Sequence, residues 1–445
     1  MDRRNFLRGL VGAAGGALLA QNTDLLSEKL FAETQKDVGL KAGGKNAIDH
    51  IVVVMMENRS FDHLLGWLPN ADGKQAGLTY VDSQGVSHQT YPLAPDYTGC
   101  PHPVPDHSYS GGRVEYDNGL MDGFLRAGQN DTYSIGYYVE QDLPFYNALA
   151  KNYTSFDRYF CSIMSSTFPN RIFQHAAQTD RLSNTYTIST LPTIWDRFAQ
   201  AGVSARYYFS NIPFLALWGS KYSPISATYP QFLAAAAAGT LPAFSFLDPR
   251  YTTVNTGDGN DDHPHADMRA GDTFMAEVFN AVSQSPAWSS TVLIFTFDEW
   301  GGFFEHVPPP RVIAPNNVDP DLVNGNALLG MRIPPVVVSP FSRGNPQSPR
   351  VMHQVFDHTS ILKLLEWRFG LEPLTARDAS DQIANLKVAL NFREPDASLP
   401  NLPSPFVADA PPCPQDSTSS DISGSGESVD LEALQTLAAS YGWPG

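Results

Sequence analysis

The chain has 445 residues, of which 42% are hydrophobic, 11% aromatic and only 17% charged. This composition excludes a wholly disordered chain and a coiled coil, and the length is sufficient for a large core. The 29 Lys and Arg residues against 46 Asp and Glu residues give a formal charge of −17. Such an acidic protein lacks the basic surface that grips nucleic acid phosphates, so nucleic acid is not an expected partner.

The N-terminus has the features of an export signal. Residues 1–20 combine the pair Arg3 and Arg4 with a Gly- and Ala-rich apolar run, which is typical of a twin-arginine signal peptide. The four glycines of this run would weaken a helix of a folded domain. We therefore expect the twin-arginine export machinery as a partner, with Ala20 as one candidate cleavage site and a polar tether over residues 21–45.

The remaining chain is expected to be exported in soluble form. No other apolar run approaches the roughly 20 residues that a membrane-spanning helix needs. The expected location is the periplasm, the cell envelope or the medium. The three cysteines, Cys100, Cys161 and Cys413, show no C-x-x-C spacing, which argues against a disulfide framework and a thiolate zinc site. They allow one disulfide at most, and either one pair or three buried thiols is expected.

Short apolar runs alternate with helical patterns across residues 46–400. The runs predict strands at 51–56, 243–247, 291–297 and 335–339. The helical patterns lie at 143–152, 169–178, 193–201, 269–284 and 360–369. Strands that are apolar on both faces are typical of a parallel sheet covered by helices. The sequence thus predicts an α/β fold, a three-layer sandwich with a mostly parallel central sheet flanked by helices, forming one catalytic domain over 46–400.

The C-terminal tail, residues 401–445, differs in composition from the preceding domain. It is rich in Pro up to Pro414 and then rich in Ser, Gly and Asp through Ser428. Residues 431–441 have the pattern of a short helix. We expect the tail to be partly disordered, with weak docking of this last helix.

Acidic residues follow two of the predicted strands. Glu57 and Asn58 come after residues 51–56, and Asp298 and Glu299 come after residues 291–297. In a parallel sheet both groups lie at the carboxyl edge, where they would repel each other unless a positive charge lay between them. A divalent cation fits these oxygen donors, and Ca²⁺, Mg²⁺, Mn²⁺ and Zn²⁺ all remain candidates. The alternative is that the carboxylates are solvated or cap helices.

A hydroxyl group precedes the predicted helix at 169–178. Thr167 is followed by Pro169, a residue common in the first turn of a helix, so its hydroxyl would lie among free backbone N–H groups that bind anions. Thr167 is therefore a candidate metal-activated nucleophile for attack on phosphorus. The alternative is a helix-capping residue, the commoner role of a threonine at such a position.

Four histidines lie beside carboxylates or in proline-stiffened loops. Such residues suit proton transfer to a leaving oxygen or binding of phosphate, although a single histidine is more often structural. They are His107, His263, His306 and His358.

Taken together, the motifs resemble those of the bacterial phosphoesterase family that contains phospholipases C and acid phosphatases. The resemblance runs from about Asp49 to Phe369 and rests on IDHIVVVMMENRSFDHLLGWLP, NGLMDGF, DRYFCSIMSSTFPNR, LPTIWDRF, FSFLDPR, DDHPHADMRAG, FTFDEWGGFFEHVPPP, VVVSPF and FDHTSILKLLEWRFG. That family is related to the alkaline phosphatase superfamily. The resemblance implies a central sheet flanked by helices, a hydroxyl nucleophile and metal-assisted phosphoryl transfer.

The resemblance also implies roles for individual residues. Thr167 matches the nucleophile, and the four histidines look like groups that bind phosphate or protonate the leaving group. The residues that look like metal ligands are Glu57, Asn58, Asp298 and Glu299, and the Thr167 hydroxyl is expected to be the fifth oxygen donor to the same ion. The sequence departs from many relatives at Glu305, where Asp is common, and at Trp300, where a smaller or polar residue is frequent.

These features predict a metal-dependent phosphoric ester hydrolase of the phospholipase C type that acts through a phosphothreonine intermediate. Its substrate would be a small phosphoester or a phospholipid, and the latter implies transient contact with a membrane surface. Aromatic residues at 133–138 and 207–218 would line a lipid-facing mouth or belong to the core. The alternatives are an exported acid phosphatase acting on phosphomonoesters and an inactive phosphate- or metal-binding protein. A sulfatase is disfavoured because it needs Cys or Ser where Thr167 stands.

Overall fold

The computed structural model describes residues 44–252, 258–409, 411, 413 and 427–443. The predicted signal peptide and residues 21–43 of the tether lie outside these ranges. The described helices are α1 (Phe61–Leu65), α2 (Tyr109–Tyr116), α3 (Pro144–Asn152), α4 (Thr167–Ala176), α5 (Ile194–Ala201), α6 (Tyr229–Ala238), α7 (Met268–Ser283), α8 (Thr359–Phe369), α9 (Ala376–Ala379) and α10 (Glu427–Ser440). The described strands are β1 (His50–Met56), β2 (Thr79–Val81), β3 (Ser87–Gln89), β4 (Tyr91–Pro92), β5 (Gly136–Tyr137), β6 (Thr154–Phe156), β7 (Ala205–Phe209), β8 (Ser226–Thr228), β9 (Phe244–Leu247), β10 (Thr291–Phe297), β11 (Arg311–Ile313), β12 (Asn326–Leu328), β13 (Val336–Val338) and β14 (Arg350–Met352).

Eight of the strands form the central sheet, in the order β14-β6-β13-β10-β1-β9-β7-β8. All neighbouring pairs are parallel except the two that involve β13, which runs antiparallel to β10 and β6. The predicted mostly parallel sheet is confirmed, and each of the four predicted strands is present. The remaining sheet strands β6, β7, β8 and β14 had not been predicted, because they are short or carry polar residues.

Helices cover both faces of this sheet. On one face of β9, Phe244 contacts the ring of Trp195 in α5, and Phe246 contacts the ring of His175 in α4. On the other face Phe297 at the end of β10 contacts Tyr146 in α3. Side chains alternate between the faces of a strand, so these contacts define a three-layer sandwich with the sheet in the middle. All five predicted helices are present, with bounds that differ from the expected ones by two residues at most.

The core lies between these layers and includes the aromatic segments at 133–138 and 207–218. Residues 51–56 of β1 are fully buried, and burying each Val or Ile contributes about 1.5–3 kcal/mol to stability. Tyr133, Tyr138 and Tyr207 are at most 1% exposed. These aromatic residues therefore belong to the core and do not line a lipid-facing mouth.

The described parts of the tail are attached to the domain. Cys413 forms a disulfide with Cys100, while Cys161 is a free, buried thiol. The C-terminal helix α10 begins four residues before the predicted start and buries Leu431 and Leu434. None of the described helices is both long and apolar enough to cross a bilayer.

Candidate active site

Three adjacent parallel strands each deliver an acidic residue to the same edge of the sheet. Glu57 follows β1, Asp298 follows β10, and Asp248 follows β9. The strand ends are aligned, since Met56 pairs with Phe297 across β1 and β10. All three carboxylates are fully buried. The structure therefore brings the two predicted acidic groups together and adds Asp248, the first residue after a strand that the apolar pattern had predicted.

A buried guanidinium lies between these carboxylates. Arg171 Nη2 lies 3.1 Å from Glu57 Oε1, Nε donates to Asp298 Oδ2 at 3.0 Å, and Nη1 donates to Asp248 Oδ1 at 2.8 Å. The sequence predicts a metal ion between the acidic groups and does not predict this arginine. Arg171 could have been noticed as a cation in the TFPNR motif, four residues after Thr167.

Asn58 and Glu299 are held against Asp298 by backbone hydrogen bonds. The N–H groups of Asn58 and Glu299 both donate to Asp298 Oδ1, at 3.1 and 2.8 Å. Asn58 has a φ of 56°, a left-handed conformation that Asn tolerates better than most residues. A Cβ atom at Gly301 would lie 2.1 Å from the Asn58 carbonyl oxygen, so the glycine permits this close approach.

Thr167 is the first residue of α4 and is 1% exposed. Ser166 before it has extended dihedrals, and Arg171 lies one turn later, so α4 presents Thr167 and Arg171 on the same side. The N–H of Phe168 donates to Asn184 Oδ1 at 2.8 Å. The helix start agrees with the prediction, but this N–H is already bonded and is not available to an anion.

His107 and His263 lie together at this edge, with ring centroids 6.5 Å apart. Each ring directs Nδ1 at a backbone carbonyl, Pro105 O for His107 and Pro264 O for His263, both at 2.7 Å. Because a carbonyl only accepts, each Nδ1 carries a proton, and Nε2 is the ring atom that remains for other partners. His107 Nε2 lies 3.2 Å from Asn58 Nδ2, which joins this histidine to the candidate metal ligands.

His358 contacts a candidate ligand through the backbone. Its Nε2 donates to the Asp298 carbonyl oxygen at 2.7 Å, and burial lowers its pKa to about 4. The imidazole is thus neutral near pH 7, with its Nε2 proton engaged. This arrangement suits a residue that orients Asp298 better than one that protonates a leaving group.

The structure places His306 in a second cluster. His306 Nδ1 lies 2.5 Å from Asp62 Oδ2 and its Nε2 lies 3.1 Å from Asp72 Oδ1. Asp62, Glu305 and His306 offer ligand atoms within 4.8 Å of one another, a spacing that suits a metal ion. Arg332, however, already pairs with Asp62 at 3.1 Å and with Glu305 at 2.5 Å. The guanidinium therefore supplies the positive charge that this cluster needs.

The two departures from the family pattern have defined structural roles. Glu305 Oε1 accepts the N–H of Asp62 at 2.6 Å while Oε2 pairs with Arg332, so the longer side chain bridges two partners. Trp300 is fully buried and its indole N–H donates to Glu115 Oε2 at 2.7 Å. Both residues stabilise surroundings of the site.

The donor chemistry at the sheet edge fits a divalent cation. Three buried carboxylates, those of Glu57, Asp248 and Asp298, share Arg171, and the buried Glu299 carboxylate lies 3.9 Å from His107 Nε2. When all four are ionised, they exceed the charge of the arginine by three. Such an excess is costly in a protein interior unless a cation compensates it. The five predicted ligands are all oxygen donors and at most 1% exposed: Glu57, Asn58, Thr167, Asp298 and Glu299.

Comparison with known proteins defines the family. The model of the Phosphoesterase family matches residues 48–372, well over half of the chain, so the protein belongs to this family. The chain is 30% identical to phospholipase C A of Mycobacterium tuberculosis, over 93% of this chain and 90% of that protein. It is 33% identical to non-specific phospholipase C1 of Arabidopsis thaliana, over 75% of this chain and 69% of the relative.

Family and relatives make the chain a phosphoester hydrolase, and they favour an enzyme over the binding-only alternative. Among solved structures, a protein of the alkaline phosphatase superfamily from Vibrio parahaemolyticus matches with a TM-score of 0.37 and 11% identity. That match covers 78% of this chain and 71% of the other.

Proposed function

We propose that this protein is a metal-dependent phosphoric ester hydrolase of the phospholipase C type, with Thr167 as its nucleophile. The names of its relatives support the reaction class. The observation that carries the site assignment is Arg171, which links the helix of Thr167 to the buried carboxylates Glu57 and Asp298.

The candidate ligands would hold a divalent cation at the carboxyl edge of the sheet. They are Glu57, Asn58, Thr167, Asp298 and Glu299. A cation bound there would lower the pKa of the Thr167 hydroxyl and stabilise negative charge on phosphoryl oxygens. Arg171 fixes the positions of the Glu57 and Asp298 carboxylates, and His358 fixes the backbone of Asp298.

Catalysis proceeds in two displacement steps. Thr167 Oγ1 attacks phosphorus, the bond from phosphorus to the alcohol oxygen breaks, and phosphothreonine forms. His107 and His263, whose ring centroids lie 6.5 Å apart, are proposed to bind phosphoryl oxygens and, in their protonated form, to donate a proton to the departing alcohol. Water then attacks the phosphothreonine, which restores the Thr167 hydroxyl and releases the phosphorylated headgroup.

The nucleophile assignment is tested by Thr167→Ala. We expect turnover to fall by at least about 10³-fold, because removal of a nucleophile eliminates the covalent route. The thermal unfolding midpoint should change little. Ser165→Ala is the matched control: it removes a nearby hydroxyl that donates only to the Leu182 carbonyl, and turnover should stay within a few-fold of wild type. Wild-type turnover in Thr167→Ala would refute the assignment.

The substrate proposal is a phospholipid diester, which also requires transient contact with a membrane surface. The relatives named phospholipase C support this choice over a phosphomonoester. The test compares phosphatidylcholine vesicles with an aryl monophosphate. Release of phosphocholine from the vesicles supports the lipase proposal, whereas turnover of the monoester alone would identify an acid phosphatase.

We further propose that the protein is exported by the twin-arginine route to the periplasm, the cell envelope or the medium. The disulfide Cys100–Cys413 supports export, because such bonds persist in oxidising compartments. Replacing Arg3 and Arg4 by Lys should retain the protein in the cytoplasm, as measured by cell fractionation. Unchanged export of that variant would refute the route.

A further inference from the structure

The loop at residues 261–265, which carries His263, has a strained backbone. Asp262 has a φ of 73° and His265 a φ of 81°, both in the left-handed region. Residues other than glycine adopt this region only when surrounding contacts hold them there. The loop therefore keeps this conformation only because its surroundings hold it.

On its inner side the loop is held by the segment that follows β1. The Glu57 N–H donates to the Asp261 carbonyl oxygen at 2.7 Å, and Arg59 Nε donates to the Asp262 carbonyl oxygen at 2.7 Å. Both donors are fully buried: Glu57 is itself a candidate metal ligand, and Arg59 follows the candidate ligand Asn58. They fix Asp261 and Asp262, whereas His265 is held by the contacts of the outer side.

On its outer side the loop is held by residues 97–102. The His265 N–H donates to the Thr98 carbonyl oxygen, and His265 Nε2 donates to the His102 carbonyl oxygen, both at 2.9 Å. The Met268 N–H donates to the Tyr97 carbonyl oxygen at 3.0 Å. The same segment continues to His107, five residues after His102, so it connects the loops of both candidate catalytic histidines.

The Cys100–Cys413 disulfide joins the segment 97–102 to the tail beside His265. Cys100 lies within the segment 97–102, and its partner Cys413 has its sulfur 3.5 Å from the His265 carbonyl oxygen. Nearby, Asp409 Oδ1 pairs with Arg269 Nη1 at 2.7 Å. The disulfide thus holds Cys413 at the point where the two histidine-bearing segments meet, and the Asp409 ion pair lies on the exposed side of this contact.

We propose that the Cys100–Cys413 disulfide is a positioning element for catalysis, holding His107 and His263 in their working arrangement. This proposal rests on the roles proposed above for these two histidines. Reduction by a dithiol such as dithiothreitol breaks the S–S bond, leaves two thiols on the protein and converts the reductant to its cyclic disulfide. The expected consequence is a slower enzyme that remains folded.

The bond also stabilises the fold in general, because it joins residues separated by 313 positions in the chain. Cys161 separates the two effects. Its thiol is fully buried, and burial raises its pKa, so it reacts slowly with thiol reagents while the core is intact. Labelling of two thiols per chain after reduction reports a folded molecule with an open disulfide, whereas labelling of three reports unfolding.

The experiment uses the full-length enzyme, with and without dithiothreitol, well below its unfolding temperature. Misplacement of a catalytic group by about 1 Å costs up to about 100-fold in rate, so we expect kcat to fall between about tenfold and 100-fold on reduction. KM should change much less, and the pH profile of kcat should shift. The double variant Cys100→Ser/Cys413→Ser should show the low kcat of the reduced enzyme and no response to dithiothreitol.

Asp409→Ala is the matched control in the tail. Asp409 is 75% exposed, so loss of its ion pair should leave kcat and the dithiothreitol response unchanged. A reduced enzyme with two labelled thiols and an unchanged kcat and pH profile would overturn the proposal. Labelling of all three thiols would also overturn it, since the bond would then serve the whole fold.

Amide hydrogen exchange separates this proposal from the proposed function. Reduction should accelerate exchange at residues 97–107 and 261–268 more than in β1 and β10, whichever phosphoester is the substrate. Unchanged exchange in these segments would refute the positioning role even for an active phospholipase. If the enzyme with its disulfide intact hydrolyses no phosphoester, but reduction still accelerates exchange in these two segments, only the proposed function is refuted.

Discussion

Two buried arginines each gather acidic residues in this protein, yet their surroundings differ in charge balance. Arg332 pairs with Asp62 and Glu305, and His306 lies against Asp62. Burial opposes protonation of His306, but the hydrogen bond and charge of Asp62 outweigh it and raise the histidine's pKa. The charges of the two carboxylates are thus balanced by the permanent charge of Arg332 and by that of His306 when this histidine is protonated.

The cluster around Arg171 contains more carboxylates. Arg171 pairs with Glu57, Asp248 and Asp298, and Glu299 follows directly in the chain. Under the proposed function, a divalent cation would offset the excess negative charge around Arg171, whereas Arg332 and a protonated His306 would already offset that of Asp62 and Glu305. The comparison teaches that the spacing of ligand atoms and the charge balance around them are separate criteria for a metal site, since the two clusters differ in the second.

The largest expected effect tests this contrast directly. Asp298→Asn should abolish stoichiometric binding of a divalent cation and lower turnover by about 10³-fold or more, since it removes a candidate ligand and charge. Glu305→Gln, the matched change in the Arg332 cluster, should keep both. Metal content by elemental analysis and turnover of the same preparations provide the measurements. Loss of the ion in Glu305→Gln alone would reverse the assignment of the two clusters.

The second effect concerns stability. Arg332→Met should destabilise the fold by about 3–5 kcal/mol, because it leaves the Asp62 and Glu305 carboxylates buried without their cation. Urea unfolding measures this change, and turnover per folded molecule should remain close to wild type. Arg126→Met is the control, since its ion pairs are partly exposed and worth about 0–1 kcal/mol. Equal effects of both variants would contradict a structural role for the Arg332 cluster.

The smallest effect is a difference in the sign of pH dependence. Burial, helped by the charge of Arg171, lowers the pKa of His175 to about 3, whereas the pKa of His306 is raised. The stability due to neutral His175 is present above pH 6.5 and falls by about 2 kcal/mol towards pH 5. The stability due to protonated His306 is present below pH 6.5 and is lost as pH rises through its raised pKa.

These opposite slopes are separable by mutation. His175→Met should reduce the loss of unfolding free energy between pH 6.5 and 5, and His306→Gln should reduce the loss on the alkaline side. Urea unfolding at a series of pH values measures both. Parallel stability curves for a variant and wild type would show that the replaced histidine does not titrate as described.

Local sequence determined the elements and the positions of several candidate residues. The apolar runs predicted β1, β9, β10 and β13, because a continuous apolar run of about four to eight residues has the length of a buried strand and is too short for most helices. Pro169 predicted the start of α4 near Thr167, since proline suits the first turn of a helix. Strand ends then indicated Glu57 and Asp298 as neighbours at one edge.

Only the tertiary structure decided which groups compensate which charges. Arg171 reaches Asp298 across 127 residues, and the choice of Cys100 and Cys413 over Cys161 spans 313 residues. The placement of His306 with Asp62 also depends on such a distant contact. A few neighbouring residues determine the hydrophobic period of a strand or helix and the position of a turn. Strand order and register depend instead on the packing of the whole chain, and they bring distant charges and thiols together.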